Sequence, residues 1–205
     1  MKRVPTSPSP TCQCRRLARS MCGSRSINPA SVVPIFAQLI RSGGATSVTV
    51  GDIVPFKLQT AKALGVDATV SMTKDANQNI DLLQKTSPSG DGYDVVVEVT
   101  GKTAVGNICL PLTRNGGTVL LYGVARPDER ISVSPFEIFR REITIKGSFA
   151  EMTSFGAAIA ALRSGRVRTD GIISHRFSLD EYGKALETLA SDPAAHKVLI
   201  TVAEP

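Results

Sequence analysis

The sequence predicts an α/β fold: a doubly wound, mostly parallel Rossmann-like sheet that lacks its first strand, followed by a small C-terminal α+β unit. Three observations support this prediction. Strand-like and helix-like segments alternate between residues 31 and 147, as in parallel α/β folds. The segment DVVVEVTG (94–101) is almost continuously apolar, which is typical of a parallel strand covered on both faces. GSRSI (23–27) is too polar to serve as a buried central strand.

The first predicted helix begins near Ser31, a suitable N-cap, with Pro34 in its first turn, where a missing N–H costs little. The glycine pair 43–44 ends it. Its apolar residues recur at helical spacing: Ile35, Phe36, Leu39 and Ile40. The later elements are strands over 47–50, 68–70, 94–101, 118–123 and 142–149, helices over 55–65, 75–86 and 102–114, and a turn at NGG (115–117).

After residue 150 the pattern changes. A helix is predicted over 153–164, another from the Ser178–Glu181 capping box to about residue 189, and a closing strand over 196–202. We therefore divide the chain into a basic tail (1–30), an incomplete Rossmann-like domain (31–147) and a C-terminal remnant of a catalytic domain (148–205). So short a C-terminal unit is expected to leave an apolar face uncovered.

The charge of the chain is concentrated at its start. The net charge is +6, and residues 1–30 carry six basic groups and no acidic one, so the remaining residues carry equal numbers of each sign. A neutral body with 5% aromatic residues does not predict a nucleic-acid partner. No apolar run approaches the ~18 residues of a membrane span, so no membrane insertion is predicted.

The tail is rich in Ser, Pro and Arg, which is typical of a disordered extension. A mitochondrial transit peptide and a poorly defined gene start are the alternatives, so the predicted location is cytoplasmic or, alternatively, mitochondrial. Cys12, Cys14 and Cys22 also lie here. Because CQC has one residue fewer between its cysteines than a zinc knuckle, no metal site is predicted.

Asp52 is the candidate binding residue that the fold pattern itself indicates. An acidic residue at the end of the second strand of such a sheet holds the adenosine ribose of a dinucleotide, and Lys57 follows five residues later. An ordinary loop acid before a proline-started helix is an equally simple interpretation. The pairs 100–101 and 123–124 follow other predicted strands at the edge where doubly wound folds bind ligands.

Taken together, several segments resemble the C-terminal half of a medium-chain, zinc-type alcohol or polyol dehydrogenase, nearest to the sorbitol-, xylitol- and arabinitol-dehydrogenase-like enzymes. The resemblance covers about residues 31–203, so the chain is expected to be truncated at its N-terminus. The segments are TSVTVGDIVPFKLQTAKALGVDATV, YDVVVEVTG, RNGGTVLLYGV, EITIKGSFAEM, RVRTDGIISHRFSLDEYGKALETLAS and HKVLITV.

The resemblance implies an oxidoreductase that exchanges a hydride between NAD and a secondary alcohol or polyol, with zinc polarising the alcohol oxygen. It implies that Asp52 selects NAD over NADP and that Lys57 lies beside the adenosine ribose. It also implies a dimer edge at Ile131–Pro135, for a homodimer or for pairing with an intact paralogue. The implied cofactor-binding residues are Asp52, Lys57, Thr100, Gly101, Tyr122, Gly123, Val124, Phe149 and Lys197, with Ser148 beside Phe149.

Two departures from the family pattern reduce this expectation. The three phosphate-loop glycines correspond here to Asn28, Ala30 and Val33, so NAD binding is expected to be weak or lost. The zinc ligands and proton-relay residues of the family have no counterpart, and His175 and His196 are interpreted as structural. We therefore expect no catalytic and no metal-binding residues, and no catalysis by this polypeptide alone.

Overall fold

The computed structural model describes residues 29–149, 154–192 and 194–202. The predicted tail up to residue 28, with its three cysteines and Asn28, lies outside the described residues. The elements in chain order are α1 (Pro29–Ser42), β1 (Thr49–Asp52), α2 (Pro55–Ala63), β2 (Ala68–Ser71), α3 (Ala76–Gln84), β3 (Tyr93–Glu98), α4 (Thr103–Leu112), β4 (Thr113–Leu121), α5 (Pro135–Arg140), β5 (Thr144–Gly147), α6 (Phe155–Arg163), β6 (Ile173–Ser178), α7 (Tyr182–Ser191) and β7 (Lys197–Thr201).

All strand pairs in the described residues are parallel. β1 pairs with β2, β4 lies between β3 and β5, and β6 pairs with β7. β1 and β3 fall in separate sheets, which is the arrangement expected when no strand lies between them. The predicted parallel α/β class is therefore confirmed.

Helices cover both faces of the β1–β2 sheet and of the β3–β4–β5 sheet. Along β3 and β4 the side chains alternate: Val97 and Leu120 face α1, whereas Val96 and Val119 face α4. α2 packs on the same face as α1, and α3 on the same face as α4. Coverage of β3 is incomplete at Val95, which is 37% exposed, so the prediction that this strand is covered throughout is wrong at that position.

α1 holds the parts of the molecule together. Ala37 packs against β1 and α2, Phe36 packs against Leu120 and Tyr122, and Leu39 packs against Ala161 of α6. The Gln38 side chain also accepts the N–H of Arg168 at 2.8 Å and donates to its carbonyl at 3.1 Å. This one amphipathic helix thus contacts the β1–β2 sheet, the β3–β4–β5 sheet and the C-terminal part of the chain.

Several predicted boundaries were wrong. α1 begins at Pro29, two residues before the predicted N-cap Ser31, so Pro34 lies in the helix interior and not in its first turn. α4 ends at Leu112 and β4 begins at Thr113. The predicted NGG turn is instead an irregularity between β3 and β4, where pairing shifts from Tyr93–Thr113 to Val95–Thr118.

The segment Ile131–Ser134 forms no strand among the described residues; Pro135 begins α5 instead. This short helix was not predicted, although Ser134 accepts the N–H of Glu137 as an N-cap at 3.3 Å. The predicted dimer edge is therefore a loop in the single chain.

The C-terminal unit is a β6–α7–β7 crossover with parallel strands. The predicted capping box is present, with Ser178 and Glu181 bonded to each other. Large apolar side chains on this unit remain exposed, in line with the predicted uncovered face: Leu179, Tyr182, Leu186 and Leu189. No helix within the described residues is long and apolar enough to cross a membrane.

Candidate functional site

Asp52 lies at the carboxyl end of β1, where the sequence placed it. Its Oδ1 accepts the N–H of Val54 at 2.9 Å, and its Oδ2 lies 3.9 Å from the Lys57 Nζ. The Asp52 and Lys57 side chains are 15% and 20% exposed. One carboxylate oxygen is therefore fixed by the backbone, while the other forms a loose, partly accessible ion pair.

His196 packs against the same turn of α2. It is fully buried, and its ring lies 5.0 Å from the ring of Phe56 at an angle of 82°. Burial, and then the charge of Lys57, lowers the pKa of His196, while Asp52 acts in the opposite direction. Lys197, the predicted cation of the last strand, follows directly at the start of β7 and is half-buried.

Glu98 organises a second group at the carboxyl end of β3. Its side chain is buried, and Oε1 accepts the N–H and the hydroxyl of Thr100 at 2.6 and 2.5 Å. The N–H of Gly101 donates to Oε1 at 3.0 Å and to Oε2 at 3.1 Å. The loop that follows β3 is thus attached to a buried carboxylate.

Gly101 and Gly123 bring this loop against the loop after β4. A Cβ on Gly123 would lie 2.1 Å from the Gly101 nitrogen, and one on Gly101 would lie 2.3 Å from the Val124 carbonyl oxygen. Gly101 also has φ +69°, which other residues adopt with strain. Both positions therefore require glycine, because the two backbones approach too closely for a side chain.

The remaining residues predicted to bind the cofactor lie in different environments. The Tyr122 ring is in the core, 4.7 Å from the ring of Phe36 in an edge-on arrangement. Val124 and Phe149 are 85% and 87% exposed. Ser148 donates its N–H to the Leu121 carbonyl at 3.0 Å, which brings the loop of Phe149 to the carboxyl edge of β4. Their cofactor contacts stay predictions.

Two of the three predicted phosphate-loop positions are described. Ala30 and Val33 both lie within α1, and the Val33 side chain packs against the core formed by β1 and α2. The corresponding glycine of the dinucleotide fingerprint allows the helix to pack closely on the strand, and a β-branched side chain takes up that space. The helix dipole at the start of α1 is retained.

No group of three or more His, Cys, Asp or Glu residues that could hold a metal occurs in residues 29–149, 154–192 and 194–202. His175 lies 3.3 Å from the Asp192 carboxylate. Cys109 is a buried free thiol whose pKa is raised to about 12 by burial and by the nearby charge of Glu98. These residues do not fit a zinc site.

More than half of the chain matches a known protein family. A family model described as zinc-binding dehydrogenase matches residues 34–164. The chain belongs to this family. The match spans α1 to α6 and so includes Asp52, Glu98 and both close-approach glycines.

Curated relatives of the family resemble this chain over part of their length. D-arabinitol dehydrogenase 1 of Uromyces fabae is 38% identical over 159 residues, covering 77% of this chain and 45% of that protein. D-altritol 5-dehydrogenase of Agrobacterium fabrum is 34% identical over 164 residues, covering 80% and 46%. The chain therefore spans about half the length of these relatives.

A solved member of the family shows the same fold. A zinc-binding dehydrogenase from Sinorhizobium meliloti superposes with a TM-score of 0.74 at 28% identity, covering 93% of this chain and 57% of that one. That structure contains NADP. The predicted oxidoreductase family, with a nucleotide cofactor in a structural neighbour, is confirmed.

Sequence reasoning missed Glu98 and the His196–Phe56 contact. Glu98 had a signal, since it is the one acidic residue inside an apolar strand core, VVVEV. The contact between His196 and Phe56 had none, because the two residues are separated by most of the chain and meet only through tertiary packing.

Proposed function

We propose that this chain is a nucleotide-binding unit of the polyol dehydrogenase type, with a preference for NAD over NADP. The observation that carries this proposal is the position of Asp52 beside Lys57 at the carboxyl end of β1. Support comes from the relatives named D-arabinitol and D-altritol dehydrogenase, so the substrate class of the complete enzymes is a small alcohol or polyol.

The described residues fit the adenosine side of a dinucleotide. The Oδ2 of Asp52 is left to accept hydrogen bonds from ribose hydroxyls, because the Val54 N–H occupies only Oδ1. A carboxylate at this place repels a 2′-phosphate. Lys57 limits that repulsion, since its ammonium lies 3.9 Å away.

The two glycine loops fit an extended ligand that runs along the carboxyl edge. Thr100–Gly101 and Gly123–Val124 present backbone at the ends of β3 and β4, and Glu98 holds the first loop in place. When bound in such a fold, a nicotinamide accepts or supplies the hydride. The part of this chain is to bind and orient the nucleotide.

The phosphate contacts are the weak part of the proposed site. Ala30 and Val33 occupy positions where glycine gives a pyrophosphate close access to backbone N–H groups. We therefore propose weak nucleotide binding that depends mainly on the ribose contact of Asp52.

We further propose that this polypeptide, by itself, does not oxidise alcohols. The described residues offer no metal-binding group, and the two histidines contact Asp192 and Phe56. No step of a zinc mechanism is assigned to it.

The test is calorimetric titration of the purified polypeptide with NAD and with NADP. We expect saturable NAD binding that is weakened about tenfold in Asp52→Asn, and weaker NADP binding in the wild type. Asp81→Asn, an exposed acid on α3, is the matched control and should bind NAD like the wild type. Binding that is unchanged in Asp52→Asn, or NAD-dependent oxidation of D-arabinitol, contradicts the proposal.

The alternative is a family member that acts through dimerisation rather than through nucleotide binding. It is favoured by the exposed Phe136 and Phe139 on α5, which follows the loop Ile131–Ser134. A cytoplasmic location, or a mitochondrial one if the basic N-terminal residues act as a transit peptide, belongs to both proposals. Light scattering combined with Phe136→Ser and Phe139→Ser tests the alternative: a monomeric wild type, or a dimer that both variants retain, contradicts it.

A further inference from the structure

His196 connects the C-terminal unit to the predicted ribose site. Its backbone N–H donates to the Ser174 Oγ of β6 at 2.9 Å, so the residue is fixed to the C-terminal sheet. Its fully buried ring meets the ring of Phe56 edge-on at 5.0 Å. Such aromatic contacts stabilise a geometry as well as burying area.

Phe56 belongs to the turn that carries the proposed ribose contact. It is the second residue of α2, it directly precedes Lys57, and it lies four residues after Asp52. The N-cap residue Val54 makes no side-chain capping bond. The start of α2 is therefore held by the Asp52–Val54 hydrogen bond on one side and by the packing of Phe56 on the other.

We propose that His196 is a positioning residue of the nucleotide site, which holds the first turn of α2 so that the Lys57 ammonium stays beside the Asp52 carboxylate. This inference rests on the proposed function. It gives the C-terminal unit a role in binding at an edge formed by a different part of the chain. A titratable residue, His196, then lies next to Asp52 and Lys57, the groups proposed to discriminate between ribose and 2′-phosphoribose.

The charge state of His196 affects this discrimination. The charged groups that act on His196 are Asp52 of β1 and Lys57 of α2. Within the C-terminal unit, Lys197 is adjacent to it in sequence, and His175 lies 3.3 Å from the Asp192 carboxylate. Burial and Lys57 favour the neutral ring at pH 7. Protonation in acid adds a positive charge beside Lys57, which offsets the repulsion between Asp52 and a 2′-phosphate.

Two substitutions separate packing from charge. His196→Ala removes the ring under Phe56, whereas His196→Phe keeps an aromatic ring that never takes up a proton. Tyr182→Ala is the control, because this aromatic residue belongs to the same unit but is 54% exposed. Circular dichroism spectra verify that each variant is folded.

The first measurement needs no ligand. NMR spectra of the full polypeptide report the amide signals of Phe56 and Lys57 and the carboxyl ¹³C signal of Asp52. We expect all three to shift in His196→Ala and to stay unchanged in Tyr182→Ala. If they are unchanged in a folded His196→Ala protein, the positioning role is wrong, whether or not NAD binds.

The second measurement is calorimetric titration with NAD and NADP at pH 7.5 and pH 5.5. We expect His196→Ala to weaken NAD binding about tenfold, and His196→Phe and Tyr182→Ala to bind within about twofold of the wild type. In acid the NADP-to-NAD affinity ratio should rise in both proteins, because the 2′-phosphate takes up a proton near about pH 6, and the rise should be larger in the wild type than in His196→Phe. NAD binding that is unaffected by His196→Ala overturns this inference alone, whereas a wild type without NAD binding overturns the proposed function and leaves the NMR result to decide the positioning role.

Discussion

The Glu98 carboxylate accepts both the backbone N–H and the hydroxyl of Thr100, at 2.6 and 2.5 Å. A buried carboxylate with three backbone and hydroxyl donors shapes the loop after β3, and that loop in turn touches Gly123. The proposed binding edge therefore rests on an acid that is only 4% exposed.

Glu98→Gln tests this arrangement. With the amide oxygen at the place of Oε1, the new NH₂ group takes the place of Oε2 and faces the Gly101 N–H, so two donors meet in a buried place. The three bonds to Oε1 also lose the charge of the carboxylate. We expect the free energy of unfolding to fall by roughly 1–3 kcal/mol, measured by urea denaturation. Glu187→Gln, on the exposed face of α7, should change it by less than about 0.5 kcal/mol. Equal effects of the two substitutions would contradict the buried role of Glu98.

The close approach of Gly101 and Gly123 leads to a second prediction. Gly123→Ala places a methyl group 2.1 Å from a backbone nitrogen, so the two loops must separate, at a cost of about 1–3 kcal/mol. Gly156→Ala is the matched control, because a Cβ there meets nothing within 4 Å and alanine favours the helix. Thermal unfolding of both variants measures the difference. A Gly123→Ala protein as stable as Gly156→Ala would show that the loops are further apart than described.

Phe36 supplies a third prediction, since it joins α1 to β4. It is 6% exposed and meets the Tyr122 ring at 4.7 Å. Phe36→Ala should lower the free energy of unfolding by about 3–5 kcal/mol. Phe139→Ala, at a phenylalanine that is 80% exposed on α5, should change it by less than about 0.5 kcal/mol. Denaturant titration of the two proteins checks both values, and a small loss in Phe36→Ala would place α1 outside the core.

The order of the elements and the position of Asp52 could be predicted because they depend on local patterns. Apolar periodicity marks α1, and the Ser178–Glu181 capping box precedes α7. Strands alternating with helices imply a parallel sheet with its predicted binding edge at the carboxyl ends. Each of these patterns depends on residues that lie close together in the sequence. The missed helix α5 also had such a local signal, the Ser134 cap, so it was predictable in principle.

The environments of Tyr122 and His196 required the folded chain. Leu120 and Tyr122 together face α1, because residues two apart on an extended chain share a face. The contact of Tyr122 with a cofactor stays a prediction. The alternation of side chains along β4 could be predicted from the sequence. The sequence did not show which face of the sheet α1 covers. His196 meets Phe56 through the docking of the C-terminal unit, which no local pattern specifies.

The environment of Cys109 predicts its reactivity. Burial raises the pKa of this thiol to about 12, with a further contribution from Glu98, so the reactive thiolate is scarce at pH 8. We expect the peptide containing Cys109 to remain unmodified after iodoacetamide treatment of the native protein. The same peptide should be alkylated completely in 6 M guanidinium chloride, as peptide mass spectrometry will show. Rapid alkylation in the native protein would mean that α4 opens readily.

The contacts of Asp67 predict how the stability of the protein depends on pH. The Val48 N–H, and then the Arg41 guanidinium at 2.6 Å, lower the pKa of Asp67 from its ordinary value of 3.8. A carboxyl whose pKa is lower in the folded state stabilises the protein above its unfolded pKa and loses that contribution as the pH falls through the folded pKa. The wild type should therefore be more stable than Asp67→Asn from about pH 5 to pH 7, and the two should converge below about pH 3. Arg41→Gln should cause the smaller loss, because the Val48 bond remains. Urea denaturation across this pH range measures all three proteins, and a difference that persists unchanged at pH 2.5 would assign the effect to packing rather than to charge.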